Sequence, residues 1–225
     1  MKTKLIIIRH GESEYNTKGL CQGQVDAKLT TLGKRQAKSL ANRLKDEKMD
    51  VIYSSPLQRA KVTADIIKKD RDVDIKLDKG IKEITCGYWE GIKVEKLREL
   101  DPVGLDNWET KPHKFSVRGS ETFQQVYDRS TQALESIIEE NEGKTIVIVA
   151  HLVSILLMLV HLKSEKIKNV WSIGKQPNTA LNILEIDKRG NVEFLVQGDI
   201  SHLQPEDVAV PDWEPKVKQS ARQIS

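Results

Sequence analysis

Residues 5–16 read LIIIRHGESEYN, and the first four of them set the architecture. Leu5 to Ile8 is an unbroken apolar run, three of its four residues β-branched, that ends on Arg9, His10 and Gly11. Side chains branched at Cβ suit a pleated strand, and a run without polar alternation reads as a strand buried on both faces. Strands of that kind form parallel sheets with a layer of helices on each side. Val51 to Tyr53 and the stretch TIVIVA at 145–150 repeat the pattern. Together they predict an α/β fold, a mostly parallel central sheet with helices on both faces.

The intervening segments carry helical periodicity. In 32–48, Ala37, Leu40, Ala41 and Leu44 recur at i, i+3, i+4 and i+7, with Thr30 or Thr31 as the cap. Residues 57–69 predict a second helix with Pro56 at its first turn. A longer one opens near Ser120, the expected cap, presents Phe123, Val126, Tyr127, Leu134, Ile137 and Ile138 on one face, and stops at Gly143. Residues 152–162 are apolar almost all round and predict a buried helix. Residues 182–186 and 192–196, joined across Lys188-Arg189-Gly190-Asn191, predict an antiparallel hairpin at the sheet's edge. Residues 1–204 read as one domain with a small cap insertion at about 92–118. Residues 205–225, polar with three prolines, are expected to form a loosely attached tail.

A chain of 225 residues suits one large core better than two small ones. Its net charge is only +3, with both signs interspersed, so it lacks the basic stripe that nucleic acid requires. No apolar run approaches the ~18 residues of a membrane span. The four apolar residues after Met1-Lys2-Thr3-Lys4 also fall short of a signal-peptide core, so a cytoplasmic location is expected. Cys21 and Cys86 are too few for a disulfide framework and lack metal-ligand spacing, which reads as two reduced thiols.

In open α/β sheets the ligand crevice lies beyond the carboxyl ends of the strands. His10 follows LIIIR and His151 follows TIVIVA. Arg59 falls in the first turns of the helix after Val51 to Tyr53, and Glu83 follows the turn at Lys79-Gly80. Singly, each has an ordinary reading: a structural histidine, an arginine at a sheet edge, a surface carboxylate. Two histidines, two arginines and a glutamate on one crevice edge exceed what packing needs. Cations gathered at one buried spot require an anion, and guanidinium forks match phosphate.

The chain resembles the histidine phosphatase superfamily, which includes the cofactor-dependent phosphoglycerate mutases. The residues that carry the resemblance are Arg9-His10-Gly11-Glu12, Asn16, Gln22-Gly23, and Asp26 with Leu29-Thr30-Thr31-Leu32-Gly33. Tyr53 to Ala60 (YSSPLQRA), Glu83-Ile84 with Gly87-Tyr88-Trp89-Glu90-Gly91, and Ala150-His151 continue it. It runs from Lys4 to about Leu203, where Asp199-Ile200-Ser201-His202-Leu203 is similar to the family's closing segment.

The resemblance implies that His10 is the nucleophile, forming a phosphohistidine, a role that a neutral imidazole suits. A hydrogen bond from its other nitrogen to a carbonyl near Gly11 is expected to orient it. Arg9, Arg59 and His151 would clamp the phosphoryl oxygens, with Asn16, Gln22 and Gly23 as further substrate-binding positions. The neighbouring cations should hold His10 neutral. Glu83 would act as general acid toward the leaving oxygen and then as base toward water. The resemblance implies no metal and no other cofactor, the arginines taking that electrostatic role.

Leu152 stands where the family usually has glycine. If the position only offers a backbone N–H at a helix start, leucine serves as well. If glycine supplies positive φ or close approach, leucine narrows the pocket; the first reading is favoured. The segment from Ile92 to Arg118, holding Trp108, Lys111, His113, Lys114 and Arg118, should cover the pocket. Mutases of the family resemble one another in a longer, more basic insertion, so a short cover points to hydrolysis. Arg118 and Trp108 either contact the substrate's non-phosphate end or belong to a solvated loop with a tryptophan packed beneath it. Trp89 and Trp171 read as core, and His113, His161 and His202 as structural, His202 tying down the closing segment.

The leading expectation is a metal-independent phosphomonoesterase acting on small phosphorylated metabolites. The alternative is a cofactor-dependent phosphoglycerate mutase. A phosphate-ester binding protein on an inactive fold would lack a catalytic histidine or arginine, and all five groups are present. The expected partner is a small phosphorylated substrate, with no nucleic acid and no membrane, and the chain a monomer or homodimer.

Overall fold

The computed structural model describes residues 2–209. Its centre is the LIIIR strand, β1 (Thr3–Arg9), in a six-stranded sheet. The others are β2 (Val51–Ser54), β3 (Ile75–Leu77), β4 (Thr145–Ala150), β5 (Leu181–Ile186) and β6 (Val192–Asp199). Their order is β3-β2-β4-β1-β5-β6; β3, β2, β4 and β1 are parallel, β5 runs antiparallel to β1, and β6 pairs antiparallel with β5 and so runs in the direction of β1.

Alternation along each strand distributes its side chains between two cores. Ile6 and Ile8 of β1, with Val147 and Val149 of β4, face α1 (Thr31–Arg43) and α2 (Gln58–Lys68) through Leu40, Ala60, Ala64 and Ile67. Leu5 and Ile7, with Ile146 and Ile148, face the opposite core. There α5 (Phe123–Glu140) and the apolar α6 (Leu152–Leu162) contribute Leu134, Ile137, Ile155 and Leu159. The cap segment contains α3 (Val94–Leu100) and α4 (Pro102–Thr110), whose Leu97, Leu105 and Trp108 join this second core.

Several expected boundaries move. Thr30 caps α1 by accepting the Gly33 N–H, but that helix stops at Arg43, short of 48. Pro56 lies outside α2, whose N-cap is Leu57. The cap of α5 is Thr122, not Ser120: Thr122 and Gln125 exchange side-chain and backbone hydrogen bonds in a capping box. Ser120 instead closes its own turn on Val117. The hairpin's second strand reaches Asp199.

The beginning of the expected tail is docked. Asp207 receives Arg35 at 2.9 Å, and its carbonyl accepts Gln36 Nε2 at 2.9 Å. Residues 210–225 of the tail lie outside the described residues. Among the described residues, no helix is long and apolar enough to cross a membrane.

Candidate active site

The two histidines meet because their strands are neighbours in register. β1 pairs with β4 through Arg9 opposite Ala150, and the His10 N–H continues the ladder to the Ala150 carbonyl at 3.1 Å. Each strand's next residue is therefore a histidine at the same height. Their rings lie 5.1 Å apart.

His10 is 3% exposed. Its Nδ1 lies 2.7 Å from the Gly11 carbonyl, which can only accept, so Nδ1 carries the proton and Nε2 keeps its lone pair. Burial, then Arg59 and Arg9, hold its pKa well below the ordinary 6.5, with the Gly11 carbonyl pulling weakly the other way. The result is a neutral, oriented imidazole. Its own carbonyl accepts the Thr179 N–H and Asn178 Nδ2, both at 3.2 Å, so the backbone is fixed as well. Gly11 is needed for close approach: a Cβ there would overlap the carbonyl of Gly33 at the start of α1.

Arg59, 1% exposed, comes from the first turn of α2. Nη1 donates to the Val25 carbonyl and Nη2 to the Gly23 carbonyl, each at 2.8 Å, which fixes the guanidinium plane. Arg9 Nη1 donates to the Gln176 carbonyl at 2.6 Å. Burial pulls both arginines down to about 10, Glu83 opposing it, so both stay charged at neutral pH. His151, wholly buried, is the N-cap of α6. Its Nε2 lies 2.8 Å from Ser55 Oγ at the end of β2, and that oxygen also receives the Leu57 N–H. The Ser55 hydroxyl is able to donate to Nε2, which leaves Nδ1 able to carry the proton. Burial, then Arg59 and His10, keep this ring neutral too.

Ser13 Oγ lies 2.9 Å from both Asn16 Oδ1 and Gln22 Oε1, which turns the two amide nitrogens away from it. Four buried nitrogens have no hydrogen-bond partner among the described residues at this place: Arg9 Nε, Arg59 Nε, Gln22 Nε2 and His151 Nδ1. Unmet donors of this kind are rare inside proteins. Three of them belong to residues that line the same cavity as His10, and the fourth to the ring 5.1 Å from it.

Glu83 Oε1 accepts the N–H groups of Ile84 at 3.0 Å and Val153 at 3.1 Å. Burial raises its pKa above the ordinary 4.5 against the pull of those donors and of Arg59 and Arg9. A carboxyl so placed holds a proton longer than a solvated one. Its segment is anchored by Arg129 of α5, which donates to the carbonyls of Gly80, Lys82 and Glu83 and pairs with Glu121.

Arg9, His10, Asn16, Gln22, Gly23, Arg59, Glu83 and Leu152 line one cavity of about 330 Å³, and the His151 ring lies 5.1 Å from that of His10. Leu152 is the first residue of α6 and does not take positive φ, so backbone conformation does not call for glycine there, and the residue lines the cavity. Arg118 is a correction. It is exposed, does not line the cavity, and lies over the Tyr88 ring at 5.7 Å. The reason is local: its carbonyl accepts the Tyr88 N–H, which lays this backbone against the outside of residues 86–88. Trp108 does line the cavity, and so does Trp89, which is both core and wall. His113 is exposed, and His161 pairs with Tyr127 and Glu135. His202 Nε2 holds Thr179 Oγ1 at 3.1 Å, tying the closing segment to the loop that supports His10.

Sequence reasoning quoted Ser55 within its motif without giving it a role, and missed Thr63, Arg129, Gln176 and Asn178. Thr63 accepts the Gly11 N–H at 3.1 Å. The Pro177-Asn178 pair was a readable turn signal; Arg129, one arginine on an amphipathic helix, gave none.

The model of the histidine phosphatase superfamily (branch 1) matches residues 5–197. The chain is 37% identical over 189 residues to phosphoserine phosphatase 1 of Hydrogenobacter thermophilus, covering 84% of this chain and 89% of that one. It is 31% identical over 205 residues to the metal-independent phosphoserine phosphatase of Arabidopsis thaliana, covering 89% and 83%. Among solved structures, Bacillus stearothermophilus YhfR superposes with a TM-score of 0.85 at 34% identity, covering 89% of this chain and 98% of that one.

Proposed function

Because the chain belongs to the histidine phosphatase superfamily (branch 1), we propose that it is a metal-independent phosphomonoesterase working through a phosphohistidine on His10. The observation that carries the reading is a neutral, oriented imidazole in one cavity with Arg9, Gln22 and Arg59, each of which has a buried side-chain nitrogen without a partner, as has neighbouring His151. Arg9 Nε, Arg59 Nε, Gln22 Nε2 and His151 Nδ1 take the non-bridging oxygens of a phosphoryl group, with Asn16 as a further donor. His10 Nε2 attacks phosphorus in line, and the ester P–O bond breaks as the N–P bond forms. Glu83 delivers its proton to the departing oxygen. It then takes a proton from water, whose oxygen displaces His10, and inorganic phosphate leaves. Fixed donors in a buried site stabilise the equatorial charge without reorganising.

The substrates of this reading are small phosphorylated metabolites as a class, of which phosphoserine, in the names of two relatives, is one member. The protein works in the cytoplasm as a monomer or homodimer, and its two thiols stay reduced. The test is phosphate release from an aryl phosphate in excess EDTA, wild type beside His10→Ala. Activity that survives EDTA and disappears in the folded variant is expected. A His10→Ala protein with wild-type turnover, or wild-type activity abolished by EDTA, would overturn the reading.

A further inference from the structure

The cavity has two chemically different ends. At the strand ends lie the groups that take the phosphoryl oxygens. Away from them the wall is built by Leu20, Val94, Leu97, Leu105, Trp108 and Leu152. Val94 and Leu97 come from α3, and Leu105 and Trp108 from α4, so the cap furnishes most of this wall. Trp108 is held in place by an aromatic cluster, its ring centroid 4.9 Å from Phe115, 5.2 Å from Phe123 and 5.6 Å from Trp171. The wall is therefore preformed.

The ionisable side chains lining the cavity, apart from the thiols of Cys21 and Cys86, are Arg9, His10, Glu12, Arg59 and Glu83. Four belong to the chemistry described above, and the Glu12 carboxylate takes the Thr30 hydroxyl at 2.6 Å. Three basic residues of the cap have partners away from the cavity. Arg98 pairs with Glu109 at 2.9 Å and Lys111 with Asp106 at 2.8 Å, while Arg118 covers Tyr88. Among the described residues, no cation of the cap lines the cavity.

We infer that the alcohol portion of the substrate is apolar and uncharged, as in an aryl or arylalkyl phosphate monoester, and that esters carrying a carboxylate, phosphoserine and phosphoglycerate included, are poor substrates. This rests on the phosphatase reading above. A carboxylate pressed against this wall sheds its water, and among the described residues the cations lining the cavity are Arg9 and Arg59, which the phosphoryl group occupies. An aromatic ring instead removes apolar surface from water and meets the edge or face of Trp108. A cavity near the lower end of the usual ligand-site range favours a compact group. Binding energy gathered on that remote portion is then available to hold the phosphoryl group in line.

The experiment compares kcat/KM for 2-phenylethyl phosphate, ethyl phosphate and O-phosphoserine. All three are alkyl esters, so leaving-group reactivity does not create the preference. The 2-phenylethyl ester is expected to exceed phosphoserine by at least about 100-fold and ethyl phosphate by about 10-fold. Phosphoserine turned over as well as or better than the 2-phenylethyl ester overturns the inference. Trp108→Ala should narrow the 2-phenylethyl to ethyl ratio by about 10-fold; an unmoved ratio in folded protein counts against the wall. Val94→Arg, at a half-buried position of α3, should raise phosphoserine turnover, and no rise counts against the missing cation as the cause. Calorimetric binding of the 2-phenylethyl and seryl phosphates to His10→Ala separates the two proposals. Preference for the aromatic ester there, with no turnover of any ester by wild type, would remove the phosphatase reading and leave the chamber standing.

Discussion

Arg129→Met tests how Glu83, the proposed general acid, is held. The guanidinium has five N–H groups and uses all of them. Nε meets Glu121 Oε1 at 2.7 Å, Nη1 meets the carbonyls of Gly80 at 2.7 Å and Lys82 at 2.8 Å, and Nη2 meets the Glu83 carbonyl and Glu121 Oε2, both at 2.9 Å. Methionine fills the stem's volume and satisfies none of these acceptors. Removing one partner of a buried ion pair costs about 3–5 kcal/mol. Arg129 and Glu121 keep 22% and 24% of their side-chain exposure, so the low end applies, about 3 kcal/mol. For a chain of this size that lowers Tm by about 6–12 °C. Burial alone would raise the Glu121 carboxyl, but Arg129 and the Thr85 N–H outweigh it and hold it below the ordinary 4.5. The pair's contribution is therefore complete above that value and lost as pH falls through the lowered pKa, so the variant's deficit should shrink in acid.

The same substitution loosens Glu83, whose carbonyl keeps only Gln24 Nε2 at 2.9 Å. A misplacement of about 1 Å costs up to roughly 100-fold. We expect a 10- to 100-fold fall in kcat/KM for alkyl phosphates and a smaller one for p-nitrophenyl phosphate, whose leaving group needs no proton. Calorimetry at pH 7 and steady-state kinetics on both ester types are the measurements. A Tm loss under about 2 °C, or equal rate losses on the two esters, would refute the reasoning.

Glu83→Gln should slow alkyl esters by about 100- to 10,000-fold while sparing good leaving groups, and equal losses on both would exclude Glu83 as the acid. Glu83 acts in its protonated form, and burial raises its pKa above 4.5, whereas His10 acts neutral with its pKa well below 6.5. Wild-type kcat/KM for an alkyl ester should therefore fall on the alkaline side as Glu83 loses its proton, and Glu83→Gln should flatten that limb in a pH–rate profile. Gly11→Ala forces a Cβ onto the Gly33 carbonyl and should cost about 1–3 kcal/mol in a urea titration, an unchanged midpoint telling against the close approach.

The central strands, and the histidines that follow two of them, were legible because each rests on a strong local signal. LIIIR and TIVIVA are too β-branched and too apolar to be anything but buried strands, and a histidine after each lands at the sheet's carboxyl edge whatever the loops do. β3 was invisible because Ile75–Leu77 is a three-residue, largely exposed edge strand with no burial pattern to imprint on the sequence. The cap helices hid for a related reason: α3 buries only Leu97, and α4 is capped by Asp101, whose carboxylate also serves Tyr88 and Trp89. Thr122-x-x-Gln125 was a readable capping box, passed over for Ser120. Arg118 was misassigned because charge and position in the chain say nothing about which way a loop turns its side chain. The supports Arg129, Gln176 and Asn178 work through backbone carbonyls, and such partners leave no trace in residue type.

The placement of β1 between β4 and β5 also bears on how the chain comes to be made. About 136 residues separate Arg9 from Thr145, its first partner strand, and the second follows only at Leu181. At roughly 5–20 residues per second, β1 leaves the ribosome on the order of 10 s before either neighbour exists. For that interval its four core isoleucine and leucine side chains and both hydrogen-bonding edges have no native partner. The strand that leads into His10 is made well before both of its neighbours and is enclosed only after them. Folding is then governed by long-range closure, the slow kind, and truncation anywhere before Ile186 removes the catalytic strand's partner along with the residues deleted.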